Sequence, residues 1–226
     1  MKFKSLLAFT ALAAFSLPAM ASAKITIDVF KTRDKQMGAN FASDTTCNNI
    51  PGFTTTDIQW AELTQKINGV TQNFSNVVLS IRYQNGCTGD DLIMTGIVTD
   101  VNGSGVHVSV KPDLSSGHLD GVVHVATDPD APVPPNQADL AVNLNWTATG
   151  PATNTVNRSH SRDGGVVMIN NFTASSRPAQ AAGSVSGILT LANGKKKFVN
   201  LLSDPSFQAS MSKSASGSVT IVRKVK

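Results

Sequence analysis

Between Ala138 and Gly150 the chain reads Ala-Asp-Leu-Ala-Val-Asn-Leu-Asn-Trp-Thr-Ala-Thr-Gly, and this stretch restricts the fold more than any other. Leu140, Val142, Leu144, Trp146 and Ala148 fall on one side of a period-two repeat, while Asp139, Asn143, Asn145 and Thr147 fall on the other. Successive side chains of a strand point to opposite faces, so the pattern predicts a β-strand with one dry and one wet face. The dry face needs a second layer, which predicts sheet against sheet rather than a parallel sheet wrapped in helices.

Other segments repeat the theme. Ile25, Ile27 and Val29 alternate within residues 24–32, Val77, Leu79, Ile81 and Tyr83 do so before Asn85-Gly86, and Val106, Val108 and Val110 follow Asn102-Gly103. Asn-Gly pairs also stand at Asn68-Gly69 and Asn193-Gly194, and this dipeptide favours the positive-φ turns of antiparallel hairpins. Further strands are expected over residues 92–101, 119–126, 166–172, 184–191, 197–202 and 216–222; residues 57–67 fit a strand by Ile58 and Trp60 or a short helix by Glu62, Leu63, Lys66 and Ile67, and the Asn68-Gly69 that follows favours the strand. Residues 33–56 read as a long loop or a set of short strands, and Pro151 to Gly165 as an exposed polar loop. About ten short strands with hardly any helix predict an all-β, antiparallel β-sandwich or a flattened barrel. The domain spans 24–226, and residues 127–137, with Pro129, Pro132, Pro134 and Pro135, are its best internal boundary. Two small tandem sandwiches split near residue 132 are the second architecture.

The first residues read as an export signal. Lys2 and Lys4 precede the apolar run Leu6 to Leu17, Pro18 breaks it, and Ala21-Ser22-Ala23 offers a cleavage site, so residues 1–23 are a signal peptide. No other run approaches the ~18 apolar residues of a membrane-spanning helix, which excludes a transmembrane anchor. Export places the chain in the periplasm or outside the cell. In that oxidising setting Cys47 and Cys87 form a disulfide, which in the chain-entropy model contributes roughly 4 kcal/mol for a loop of about 40 residues. With Lys2 and Lys4 gone, the formal charge falls from +4 to +2. Apart from Lys195-Lys196-Lys197 and the tail Arg223, Lys224 and Lys226, the basic residues are scattered, which does not point to nucleic acid.

The run Trp146-Thr147-Ala148-Thr149-Gly150, followed by a polar stretch, by Arg177 and Ala179, by Ala182-Gly183-Ser184-Val185 and by Gly217-Ser218, resembles a group of small exported bacterial β-rich proteins of unassigned function. Cys87-Thr88-Gly89 before an apolar strand fits as well. The N-terminal part of the chain and Lys195-Lys196-Lys197 have no counterpart in that pattern. The resemblance implies an exported β-rich protein and transfers no catalytic residue.

Chemistry-bearing clusters are scarce. His107, His118, His124 and His160 lack zinc-ligand spacing, and Asp120, Asp128 and Asp130 lack the spaced carboxylates and central glycine of a calcium loop. Neither a metal nor another cofactor is expected. No Gly-x-Ser-x-Gly elbow occurs, and Asp90-Asp91 should point to opposite faces. Asn145-Trp146-Thr147 and Asn171-Phe172-Thr173 match glycosylation acceptors but carry no weight behind a bacterial-type leader. For recognition, Trp60 and Tyr83 are the candidate aromatic platforms and Arg158, His160 and Arg162 the candidate polar contacts, since recognition gathers on exposed loops of rigid sheets. The expected function is therefore an exported, non-catalytic binding or surface-interaction module whose partner is a protein or a glycan surface. An enzyme whose acid and base groups, such as His124 with Asp120 or Asp128, meet only in the fold is the second reading. A structural subunit joined to its neighbour by strand addition is the third.

Overall fold

The structure, a computed structural model, describes residues 24–67, 69–127, 136–163 and 166–223. The expected signal segment, most of the proline-rich stretch with Asp128 and Asp130, and Lys224 and Lys226 lie outside these residues. The chain is all-β and antiparallel, with eleven strands: β1 (Lys24–Asp44), β2 (Phe53–Ile67), β3 (Val70–Asn85), β4 (Asp90–Thr99), β5 (His107–Val110), β6 (Ser116–Ala126), β7 (Gln137–Ala148), β8 (Thr153–Asp163), β9 (Val166–Thr190), β10 (Lys196–Asn200) and β11 (Gln208–Arg223). Among the described residues the helical content is a 3₁₀ turn over Val101–Gly103, and no helix is long and apolar enough to cross a membrane.

The ladders run β9–β11–β1–β2–β3–β4–β6–β7 and return to β9, so the pairing forms a circuit. Its narrowest join is one bridge between β4 and β6, Thr95 with Ala126. Gly96 allows this approach, because a Cβ there would stand 2.2 Å from the His124 carbonyl oxygen. Inside the circuit the alternating positions meet. Met37, Ala39 and Phe41 of β1, Ile58 and Trp60 of β2, Val77, Leu79 and Ile81 of β3, and Leu140 to Trp146 of β7 supply buried side chains. Each full burial of this kind contributes roughly 1.5–3 kcal/mol. Trp146 is 1% exposed and donates its Nε1–H to the Gly38 carbonyl at 3.0 Å, which ties β7 to β1 across the interior.

Both ends of this body are closed by loops. At one end the Cys47–Cys87 disulfide joins the β1–β2 turn to the β3–β4 turn, while Ser43 Oγ donates to the Leu201 carbonyl and holds the segment before β11. At the other end Leu114 is buried and Arg177 donates to the carbonyls of Gly150 (2.7 Å) and Asp113 (3.3 Å).

Three expectations change. Residues 33–56 are mostly strand: β1 runs unbroken to Asp44 and β2 begins at Phe53, because inward Met37, Ala39 and Phe41 keep the period while interleaved Gly38, Asn40 and Ala42 hide it. Pro151 to Gly165 is not a loop, since Thr153–Asp163 pairs along its length with β9. Nothing in β8 is buried, so its strand character comes from the ladder alone. Of the Asn-Gly pairs, Gly69 (φ +86) and Gly194 (φ +78) make the expected turns, whereas Asn102-Gly103 lies in the 3₁₀ turn.

Two inward hydroxyls, Thr54 Oγ1 and Thr56 Oγ1, are buried without a hydrogen-bond partner. An unpaired buried hydroxyl is destabilising, and an apolar group of the same shape is not. Thr56→Val is therefore expected to raise the unfolding free energy by about 1 kcal/mol in urea titrations. Gly96→Val, which drives a side chain into the β4–β6 join, is expected to lower it by about 2–3 kcal/mol in the same measurement.

Candidate binding surface

Five of the strands are longer than the body they enclose. Past the loops at residues 111–115 and 149–152 they continue, with β8, as one sheet in the order β8–β9–β11–β1–β2–β3. β8 prolongs the line of β7 along β9, the two separated by Thr149 to Ala152. In this extension β8 pairs only with β9, and residues 70–75 of β3 pair only with β2.

Directly opposed residues of an antiparallel ladder share a face, so the registers assign every side chain of the extension to one side or the other. Arg33 stands opposite Thr64 and Ala215, Ala215 opposite Thr173, and Thr173 opposite Val156. The same face receives Lys31 and Lys35 from β1, Lys66 from β2, Lys213 from β11, and Arg158, His160 and Arg162 from β8. It continues the inward parity of the body, where Met37 aligns with Trp60 and Met211. Among the described residues its one carboxylate is Glu62, already bound to Lys35 at 2.9 Å. The opposite face carries no Lys or Arg among the described residues.

Two features make the basic face more than a tally of charge. Lys31 lies directly opposite Lys66, and Lys35 directly opposite Lys213. Like charges so placed are destabilising. Lys35 is offset by Glu62 and Lys213 by the Pro112 carbonyl, to which its ammonium donates. Among the described residues Lys31 and Lys66 have no such relief. A hollow of about 290 Å³ also opens among Arg33, Lys35, Lys213, Thr173 and Ser175, with Ala215 between them in register.

The residues singled out from sequence divide cleanly. Arg158, His160 and Arg162 are exposed and share one face of a strand, not a loop. Trp60 and Tyr83 are each 5% exposed, so neither is a surface platform. Tyr83 is instead covered by the Lys197 ammonium, 5.1 Å from its ring centre, while that ammonium also lies 3.3 Å from Asp90. Burial alone would push the Lys197 pKa down, but Tyr83 and Asp90 outweigh it and hold the pKa above its ordinary value. Lys197 is thus an anchored residue and not a solvated turn lysine. Lys31, Arg33, Lys35, Lys66 and Lys213 were not singled out, because their convergence depends on pairings between distant segments.

The other three histidines, His107, His118 and His124, lie on the outer surface of β5 and β6. His118 Nε2 is 3.0 Å and His107 Nδ1 3.6 Å from the Asp120 carboxylate, and His124 Nδ1 is 2.8 Å from Asp139. His124 therefore pairs across to β7, not with Asp120. Asp90 and Asp91 diverge to Lys197 and Arg82 respectively. Among the described residues no group of three or more His, Cys, Asp or Glu side chains is placed to hold a metal ion. No protein-family model, curated protein or solved structure matches the chain.

The opposed lysines generate a stability prediction. Lys66→Gln is expected to stabilise the protein by a few tenths of a kcal/mol and at most about 1 kcal/mol at low salt, with the gain fading as salt screens the pair. Urea unfolding at two ionic strengths measures it.

Proposed function

We propose that the chain is an exported, non-catalytic binding module that uses the basic face of its extension to hold a polyanionic polymer of the cell envelope or its surroundings. The observation that carries this reading is two pairs of directly opposed lysines on one exposed face, Lys35 with Lys213 and, without relief among the described residues, Lys31 with Lys66. Self-repulsion of this kind is unfavourable in the free protein and is relieved when an anion lies across both ammoniums. Arg158 and Arg162 on β8 widen the same field, and the intervening Thr173, Ser175 and Asn171 supply uncharged hydrogen-bonding groups. Export is supported by the leader pattern of residues 1–23 and agrees with the disulfide. The spread of cations over β8, β1, β2 and β11 favours a polymer, because an open sheet face engages many charges weakly and sums them.

The test is retention on a sulfated polysaccharide matrix, with duplex DNA as a second probe. Wild-type protein is expected to be retained and released by salt, and the double substitution Lys31→Gln with Lys66→Gln to elute at distinctly lower salt while unfolding at the same or a higher temperature. Equal substitutions at Lys195 and Lys196, where the turn enters β10, are expected to change retention little. Retention that ignores the first pair and follows the second sinks the assignment, and binding to DNA in preference to the polysaccharide moves the ligand to nucleic acid.

A further inference from the structure

The face opposite the lysines has a different composition, and it carries an inference independent of the polyanion reading. Phe30, Leu63, Phe74 and Phe172 share it with a row of hydroxyls on β11 from Ser212 to Thr220. Phe74 is 55% and Phe172 40% exposed. Among the described residues its charged groups are three carboxylates: Asp34, which accepts a hydrogen bond from Gln36 at 2.9 Å, Asp28, opposite Thr220 in register, and Asp163 at the outer corner. No described strand or loop covers the exposed rings, so this part of the chain is a single layer where a stable sheet has two.

We infer that a second copy of this chain covers this face, the two extensions stacking with their aromatic sides together about a two-fold axis. The charge distribution selects this occupant. A two-fold stack brings each face against itself, which the lysine side forbids and which the aromatic side permits, because its few carboxylates, Asp28, Asp34 and Asp163, stand apart from Phe74 and Phe172 in register. Depletion of charge with enrichment of aromatic residues is the composition of interface centres. The size also agrees: six strands about 4.8 Å apart and some seven residues long give a face of roughly 24 by 24 Å, on the order of 600 Å² before side-chain relief is counted. A standard interface buries about 800 Å² per partner. A groove of about 240 Å³ between Phe30 and Phe172, above Ser216 and Ser218, offers space for a partner's ring to interdigitate. The stacked pair leaves both lysine faces outward.

Sedimentation velocity of the mature protein across a concentration series tests the pairing. A mass of two chains is expected at tens of micromolar, with Phe74→Asp and Phe172→Asp, both at exposed positions, each raising the dissociation constant at least 100-fold while circular dichroism and thermal unfolding stay near wild type. Gln72→Lys, on the same face without loss of a ring, is expected to weaken the dimer in the same direction, and Lys66→Gln, on the other face, to leave it intact. A monomer at every concentration overturns the inference, as does a dimer indifferent to all three face substitutions. Open-ended growth would assign assembly to the free edges of β8 and β3 instead, and a monomer that binds neutral oligosaccharide at Phe30 and Phe172 would give the groove to a sugar; either result also overturns it.

Discussion

The strict alternation of side chains along unbroken strands is the constraint from which the rest of the molecule follows. A strand that does not bulge cannot change which residues face which way, so the parity that sends Met37, Trp60, Val77 and Met211 into the interior also decides where Lys35, Glu62, Ser75 and Lys213 must point. The core and the basic face are one surface read at two heights. What changes between them is only the residue type at the inward positions, apolar where the circuit closes and cationic where it does not. A one-residue slip in any of these ladders would turn Met37 and its neighbours to water, bring residues such as Gly38 and Asn40 inward and carry the lysines to the aromatic face, which is why the register is strongly specified; the one shift in the β1–β11 ladder lies near its end, between Thr26 and Asp28.

Closure confines the body to one end of these strands. The circuit needs β4, β6 and β7 opposite β1, β2 and β11, and those three are short: β4 ends at Thr99, β6 starts at Ser116 and β7 stops at Ala148. Where they stop, the long strands lose their opposite wall. Arg177 marks the boundary by donating to carbonyls of both loops that seal it. From there outward, burial can no longer stabilise the sheet and the ladders must do so themselves, as β8 illustrates with every residue exposed and every position paired.

This division also explains what could be read in the sequence and what could not. The strand at Gln137–Ala148 is plain in the sequence because Leu140, Val142, Leu144 and Trp146 point inward while Asp139, Asn143, Asn145 and Thr147 point outward, and the disulfide follows from two cysteines behind an export leader. β8 resembles a loop in sequence because it lacks apolar periodicity, but it carries an alternation of another kind: Arg158, His160 and Arg162 against Asn157, Ser159 and Ser161. Alternating charge is the local signal of this strand. The basic face itself had no local signature. Lys31 and Lys66 are far apart in the chain, as are Lys35 and Lys213, and only the β1–β2 and β1–β11 registers bring them together. Trp60 and Tyr83 are core residues instead of platforms, as the alternation of Tyr83 with Val77, Leu79 and Ile81 and of Trp60 with Ile58 already indicates.

The two faces of the extension place opposite demands on the same backbone. Moving one lysine of each opposed pair to the other face would separate the like charges and stabilise the isolated sheet, yet the cations are all held on one side. That arrangement leaves the far side free of repulsion, so rings and hydroxyls there can pack against an identical surface. It also concentrates positive potential on the near side, where field strength grows with each added cation. The repulsion between Lys31 and Lys66 is the local consequence of keeping one face free of cations and gathering them on the other. Segregation of this sort is unnecessary for a sheet wet on both sides, where mixed charges of either sign would hold the strands in solution better. It is what a sheet requires when each face meets a different surface.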